Sequence, residues 1–344
     1  MLHLFECIKI QIKELRSLFS KLFYMKNFFW MCLLLSFFSS CEKNDKTEQE
    51  IAKIHMDISV VRFDKEFAEV TPETFPALKQ KYPMFFPKQF ADSVWLKRIT
   101  TDTLQQQLNI EVDKVYPTSQ ELEEDFTDLF QHISYYFPEF TAPVLYFATS
   151  DVEYRNRVIL ADSLAIVGLD NYLGSEHPFY EQIPLYIGKN LKPSQITQDF
   201  ASAYARSLIS TPKKRNLLSQ MIYFGKSLYL KDLWLPSTSD AEKIGYTEAE
   251  YTWAQENEVD MWRYFIEREL LYSTDPKLPG RFINAAPFSK FYLEIDNESP
   301  GMIGRYIGWQ MVRSYMKKNP TSLQQLMILA PETIYKESKY KPSK

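Results

Sequence analysis

The sequence predicts an α+β protein, predominantly helical, in which a small antiparallel sheet in the N-terminal half packs on a helical C-terminal half. Three observations carry that prediction. Apolar residues recur at helical spacing over 118–133 and again through most of the chain beyond residue 190. Short β-rich runs occur only between residues 58 and 167. Only 9 of 344 residues are glycine, too few for β-helices, propellers or Gly-rich nucleotide loops, which need close backbone approaches. With 45 % hydrophobic and 24 % charged residues, the chain is globular rather than disordered.

The elements follow in order. Ile58–Asp64 is β-rich and loosely alternating, so a short strand is expected. Residues 70–90 hold Pro72, Pro76, Pro83 and Pro87 among aromatics, which predicts irregular chain with short helical turns. Residues 92–108 read as weakly helical. Over 118–133, Leu122, Phe126, Leu129, Phe130 and Ile133 share one face, and Thr118 with Glu121 forms a capping-box pattern. Val144–Ala148 predicts a strand; Arg157–Leu160 and Leu164–Val167 flank Ala161-Asp162-Ser163 as a hairpin in the same sheet.

A helix beginning at Ser194 turns Ile196, Phe200, Tyr204 and Leu208 inward and stops before Pro212. Asn216 caps a second, with Leu217, Leu218, Met221, Ile222, Leu228 and Tyr229 inward. Thr247 and Glu250 form another capping box. Four prolines across 275–300 predict a long loop, a kind of segment that is often functional. The last strong helix starts at Pro300. Its Gly304 and Gly308 lie on nearly one side, which predicts close approach of another backbone.

The N-terminus carries an address. From Met25, one Lys precedes the apolar run Phe28–Phe38, which has the length of a secretory core and is short of a membrane span. Phe38-Ser39-Ser40-Cys41 then resembles a lipoprotein signal-peptidase box, with Phe38 where Leu is usual. Cys41 is the expected lipidation site. Residues 1–24 match no signal-peptide design and are read as an over-called start; 25–40 as the lipoprotein signal peptide; 41–56 as a polar tether; 57–335 as a single globular domain; and 336–344 as a disordered tail. The other cysteines, Cys7 and Cys32, both precede Cys41, so the processed chain has no thiol free for a disulfide. The first forty residues hold five Lys or Arg and two Glu; removing them takes the net charge from −4 to −7. An acidic chain without a basic stripe argues against nucleic acid.

The catalytic inventory is short. His55, His132 and His177 remain after processing, with no H-E-x-x-H zinc motif and no G-x-S-x-G elbow. His132 reads as a partly exposed helix-end residue. His177 lies in a loop. Glu298, just before Pro300, could complement the last helix. The aromatics, 25 Phe, 22 Tyr and 6 Trp, would suit glycan stacking but mostly fall on helix faces, as core.

Four stretches together resemble the gliding motility lipoprotein GldB family of Bacteroidetes-type bacteria. They are Val61-Arg62-Phe63-Asp64; Gly168-Leu169-Asp170-Asn171-Tyr172-Leu173-Gly174 with His177, Tyr180 and Pro184-Leu185-Tyr186; Gln220-Met221-Ile222-Tyr223-Phe224-Gly225-Lys226; and Glu298-Ser299-Pro300-Gly301 through Gly308-Trp309-Gln310 to Arg313-Ser314-Tyr315. The resemblance covers nearly all of 41–335. GldB-like proteins are in turn distantly similar to zincin-type peptidases, which implies a zincin-like scaffold. Those peptidases carry H-E-x-x-H on the helix matching 194–209, where this chain reads Asp199 through Arg206, and a Glu-Gly on the next helix, where it reads Phe224-Gly225.

The resemblance therefore implies a lipid-anchored envelope protein that supports gliding motility and its associated secretion by binding, with no catalytic residue, metal or other cofactor. Its partners would be the membrane, through the acyl chains, and envelope proteins of that machinery; the outer membrane is expected rather than the inner. Asp170, His177, Arg206 and Glu298 are the candidate cleft residues. The alternatives are an envelope hydrolase on a degenerate peptidase-like fold, using Asp170, His177 or Glu298, and a glycan-binding lipoprotein.

Overall fold

The computed structural model describes residues 46–342. The expectations for residues 1–24, the signal peptide and Cys41 lie outside the described residues. Two compact units divide the chain, residues 1–55 and 56–344. Of the first, residues 46–51, inside the expected tether, are helical. The fold is α+β, 57 % helix against 6 % strand, so helix packing dominates as expected.

The sheet has four strands, β1 (Val60–Arg62), β2 (Val144–Ala148), β3 (Val158–Ala161) and β4 (Leu164–Gly168). It is not the antiparallel sheet expected. The order is β1-β2-β4-β3, with β1, β2 and β4 parallel and only the β3–β4 hairpin antiparallel. The hairpin forms as read, but β4 rather than β3 docks on β2, pairing Tyr146 with Ile166. Burial explains the choice. β2 and β4 are covered on both faces and are apolar on both, as parallel strands usually are. Leu145, Phe147, Ala165 and Val167 face the main core, while Tyr146 and Ile166 pack on a second aromatic cluster containing Phe63, Phe67 and Phe86. Short β3, with Ile159 exposed, is left at the edge.

The crossover from β1 to β2 holds five helices: α1 (Phe63–Glu69), α2 (Phe75–Lys81), α3 (Asp92–Thr100), α4 (Thr103–Val115) and α5 (Gln120–Tyr136). The expected strand at 58–64 is cut short by α1. The α5 apolar stripe is buried as read, with Phe126 and Phe130 against Phe200 at 5.3 and 5.2 Å between rings. The capping box at Thr118 does not form. Ser119 is the N-cap and already has helical dihedrals, so no side chain reaches back to the free N–H groups.

The second half holds α6 (Leu185–Gly188), α7 (Gln195–Leu208), α8 (Leu217–Trp234), α9 (Asp240–Ile244), α10 (Glu248–Glu256), α11 (Glu258–Glu267), α12 (Leu278–Phe282), α13 (Ile303–Lys318), α14 (Leu323–Ile328) and α15 (Pro331–Ser338). Asn216 caps α8 through the Ser219 N–H, and the Thr247–Glu250 box caps α10 with both bonds made. Helices α8 and α13 form the central pair. A Cβ at Gly308 would lie 1.9 Å from the Met221 carbonyl oxygen, and one at Gly225 would lie 2.4 Å from the Gly308 carbonyl. Only glycine permits this contact, so the sparse glycines at 225 and 308 are packing devices.

The 275–300 segment is less open than expected. α12 and a 3-10 turn at Glu294–Glu298 interrupt it, and Phe282 and Phe291 are buried against Phe265. Ser299 ties the end of the segment to its middle, its hydroxyl donating to the Ser289 carbonyl at 3.1 Å. The last helix starts three residues later than expected. Gly301 is pressed on the Ala286 carbonyl and Met302 takes a left-handed conformation with φ 60°. Residues 336–342 are not a loose tail: α15 runs to Ser338, whose carbonyl accepts from Lys318 at 2.6 Å, and the Tyr340 ring packs 5.2 Å from Trp262.

Candidate functional site: a cation-lined cavity

A cavity of about 280 Å³ opens where α7, α8 and the start of α13 meet the β3 edge and the end of α9. Each wall has a sequence reason. On α7, Asp199, Ser202 and Arg206 fall three and four residues apart, so one face points inward. On α8, Phe224, Ser227, Leu228 and Lys231 repeat the spacing. Arg305 comes from the first turn of α13. Arg155 and Arg157 come from the segment entering β3, and Lys243 from the end of α9, where left-handed Gly245 turns the chain onto Asn190.

The lining holds six basic side chains, Arg155, Arg157, Arg206, Lys231, Lys243 and Arg305, and one acidic, Asp199. In a protein of net charge −4 this is a strong local reversal. Some of the charge is compensated. Arg157 pairs with Asp199 at 3.1 Å, and Lys243 lies 3.5 Å from both Asp232 and Asp240. Arg206, Lys231 and Arg305 have no carboxylate partner among the described residues. Lys231, 5 % exposed, donates to the Lys243 carbonyl at 2.8 Å. Burial pushes its ammonium down to about 7; Asp199 opposes that, while Arg206, Arg305 and Arg157 repel the charge further. Arg305 lies over the Phe224 ring at 4.1 Å, with Nε donating to the Ile283 carbonyl at 2.7 Å. Burial lowers it to about 10, and Arg206 adds repulsion.

A relay of hydrogen bonds fixes the Asp199 wall. Arg62 makes two bonds to Asp64, at 2.6 and 2.9 Å, and a third to the Tyr116 carbonyl at 2.9 Å. Tyr116 donates to the Tyr172 carbonyl at 2.7 Å, and Tyr172 donates to Asp199 at 2.9 Å. Burial, reinforced by Asp199, raises Tyr172 well above the usual phenol range, so it stays a donor.

The four candidate cleft residues part company here. Arg206 lines the cavity, exposed at its mouth. Asp170 does not. It is wholly buried and accepts from the Ser150 and Val152 N–H groups at 2.9 and 2.6 Å. Burial raises its pKa, against the pull of those bonds. It pins a loop in which Asp151 and Val152 both have positive φ, and that loop leads into Arg155 and Arg157. His177 caps a 3-10 turn through the Phe179 N–H and lies 3.4 Å from Glu111. Glu298 is exposed on the 294–298 turn and does not cap α13, whose Ile303 N–H donates instead to the Ser289 hydroxyl at 3.4 Å. His132 is not partly exposed: it is 2 % exposed, with Nδ1 2.8 Å from the Asp128 carbonyl. Trp234 and Trp309 are fully buried, and no described Trp is exposed.

Of the candidates only Arg206 lines the cavity; Arg155, Arg157, Asp199, Lys231, Lys243 and Arg305 were not among them, and Lys231 and Arg305 are the two that matter most. A signal existed. Lys231 interrupts the apolar stretch Leu228 to Trp234, and Arg305 stands between buried Gly304 and Tyr306; a long cation on a buried face is rare without a purpose.

A zinc ion is a poor fit to this lining. One carboxylate, already paired, among six cations supplies neither ligands nor negative potential. Among the described residues no group of three or more His, Cys, Asp or Glu could hold a metal, and no helix is long and apolar enough to cross a membrane.

Fold and site together define an α+β, mostly helical protein with a cation-lined cleft between α7, α8 and α13. A family model for the gliding motility protein GldB matches residues 44–342, and the chain belongs to that family. No curated protein and no solved structure matches it.

Proposed function

We propose that this protein is a lipid-anchored cell-envelope component that supports gliding motility and the associated protein secretion by binding, not by catalysis. Family membership supports the motility role. The observation that carries the binding role is the cavity itself. Asp199, Ser202, Arg206 and Phe224, the stretches where zincin-type peptidases place their metal ligands, line one cavity and are neither imidazole nor thiolate. The scaffold is then zincin-like with its metal face converted into a cationic cleft. Acyl chains on Cys41 would anchor the domain, several chains being needed for stable attachment, with the outer membrane preferred, and envelope proteins of the motility machinery would be the partners.

Two measurements test this. Cys41→Ala should move the protein from the membrane to the soluble fraction and abolish colony spreading; unchanged membrane attachment would refute the anchor. Cross-linking in intact cells should recover motility or secretion components on the wild type, and recovery of none would refute the binding role.

A further inference from the structure

We propose that the cavity between α7, α8 and α13 is a binding site for a phosphate group, free or carried as a monoester on a small ligand, held by Arg206, Lys231 and Arg305. The proposal goes beyond the motility role and does not depend on the lipid anchor.

The first ground is charge without a counter-charge. Buried or half-buried cations are normally paired, because a lone charge loses hydration with nothing in return. Here buried Lys231 and half-buried Arg305, with exposed Arg206 at the mouth, share one cavity and none meets a carboxylate among the described residues, while the neighbouring cations Arg157 and Lys243 each do. The cavity thus gathers basic side chains without carboxylates to match them, and the ligand complementary to it is an anion.

The second ground is the donors. Arg305 is fixed at both ends of its guanidinium plane, by Phe224 beneath it and by the Ile283 carbonyl on Nε. Its two terminal nitrogens have no partner among the described residues, and neither has any guanidinium nitrogen of Arg206. Two guanidinium forks with free terminal N–H groups match the oxygens of a phosphate or carboxylate. Lys231 adds a point charge from the floor.

The third ground selects between those anions. A monocarboxylate brings one negative charge to two guanidinium cations and to Lys231, whose ammonium burial leaves only part-protonated near pH 7. A phosphate monoester brings nearly two at neutral pH, with three acceptor oxygens. The volume, about 280 Å³, lies at the low end of small-ligand pockets, enough for the phosphate and a small organic group.

The test is isothermal titration of the full chain in mild detergent, at low ionic strength, with inorganic phosphate, glycerol 1-phosphate and acetate as probes. Phosphate should bind one per chain, and acetate at least about tenfold more weakly, the difference expected from one lost charge-assisted contact. Arg206→Gln, which loses no partner and leaves the fold alone, should weaken phosphate by about tenfold or more, and Lys231→Met should do the same. Tighter binding of glycerol 1-phosphate than of inorganic phosphate would support the site and identify an ester, such as a lipid head group, as the source; equal binding would support it with the free anion. Absence of binding by both phosphate probes, full affinity in Arg206→Gln, or acetate equal to phosphate would each overturn the proposal.

Discussion

At the scale of single residues, the family motifs are mostly structural fixtures aimed at the cavity. Asp170 is the clearest. Its carboxylate satisfies two backbone donors in a loop with two consecutive left-handed residues, Asp151 and Val152, a conformation that costs energy unless its surroundings hold it. Asp170→Asn keeps the shape but turns an amide N–H₂ toward one of those donors. Because the site is fully buried, the expected loss is about 1–3 kcal/mol in urea unfolding, with Arg155 and Arg157 less well placed. A loss below about 0.5 kcal/mol, the level of an ordinary surface change, would show that the loop does not depend on it. The same scale explains what sequence reading could not reach. Asp170 looked like a cleft residue because it stands in a family stretch, and a carboxylate there is ambiguous until its donors are known; its partners lie about twenty positions away, in Ser150 and Val152. Lys231 and Arg305 each left a signal as a long cation on an apolar helix face, but that they share one cavity was not legible, since its walls come from several separate elements.

Secondary structure was legible where periodicity was long. The α5 and α8 stripes and the β2 strand appear where the pattern placed them, because core burial enforces the same spacing that the pattern reads. What failed was pairing and termination. Strand order depends on which faces are covered on both sides, and the start of α13 depends on contacts between Gly301 and the Ala286 carbonyl; neither is local. The α8–α13 pair is the element on which the cavity rests, since it carries Phe224, Lys231 and Arg305. Gly308→Ala would force a methyl to 1.9 Å from a carbonyl oxygen that belongs to helix backbone and cannot rotate away. The expected cost lies at or above the top of the ~1–3 kcal/mol range for overpacked cores, with a fall of several degrees in Tm. Gly188→Ala is the control: nothing lies within 4 Å of its Cβ position, so the change should be neutral or slightly stabilising. Equal behaviour of the two variants would mean that the helix pair is not closely packed.

For the whole molecule, the buried lysines set an unusual pH dependence. Burial lowers Lys226 to about 8 and Lys231 to about 7, from an ordinary 10.5. Between those values and 10.5 the unfolded chain holds protons that the folded chain has lost, so stability rises with pH across that window. Below about pH 7 both states are protonated and the cost of burying the charges is paid in full. The slope is at most about 1.4 kcal/mol per pH unit for each lysine. The buried phenols work the other way. Tyr116, Tyr172, Tyr246 and Tyr306 are all raised, chiefly by burial, so above pH 10 the unfolded chain ionises first and stability falls. In phosphate-free buffer, Tm should therefore climb from pH 7 to about 9 and drop beyond about 10. Lys231→Met removes one of the two titrating ammonium groups, so it should raise Tm at pH 7 and flatten the climb. Lys226, which holds the Met327 and Leu329 carbonyls at 3.2 and 2.7 Å, supplies the slope that remains. A thermal profile that is level or falling between pH 7 and 9 in the wild type would show that both lysines keep their charge when folded.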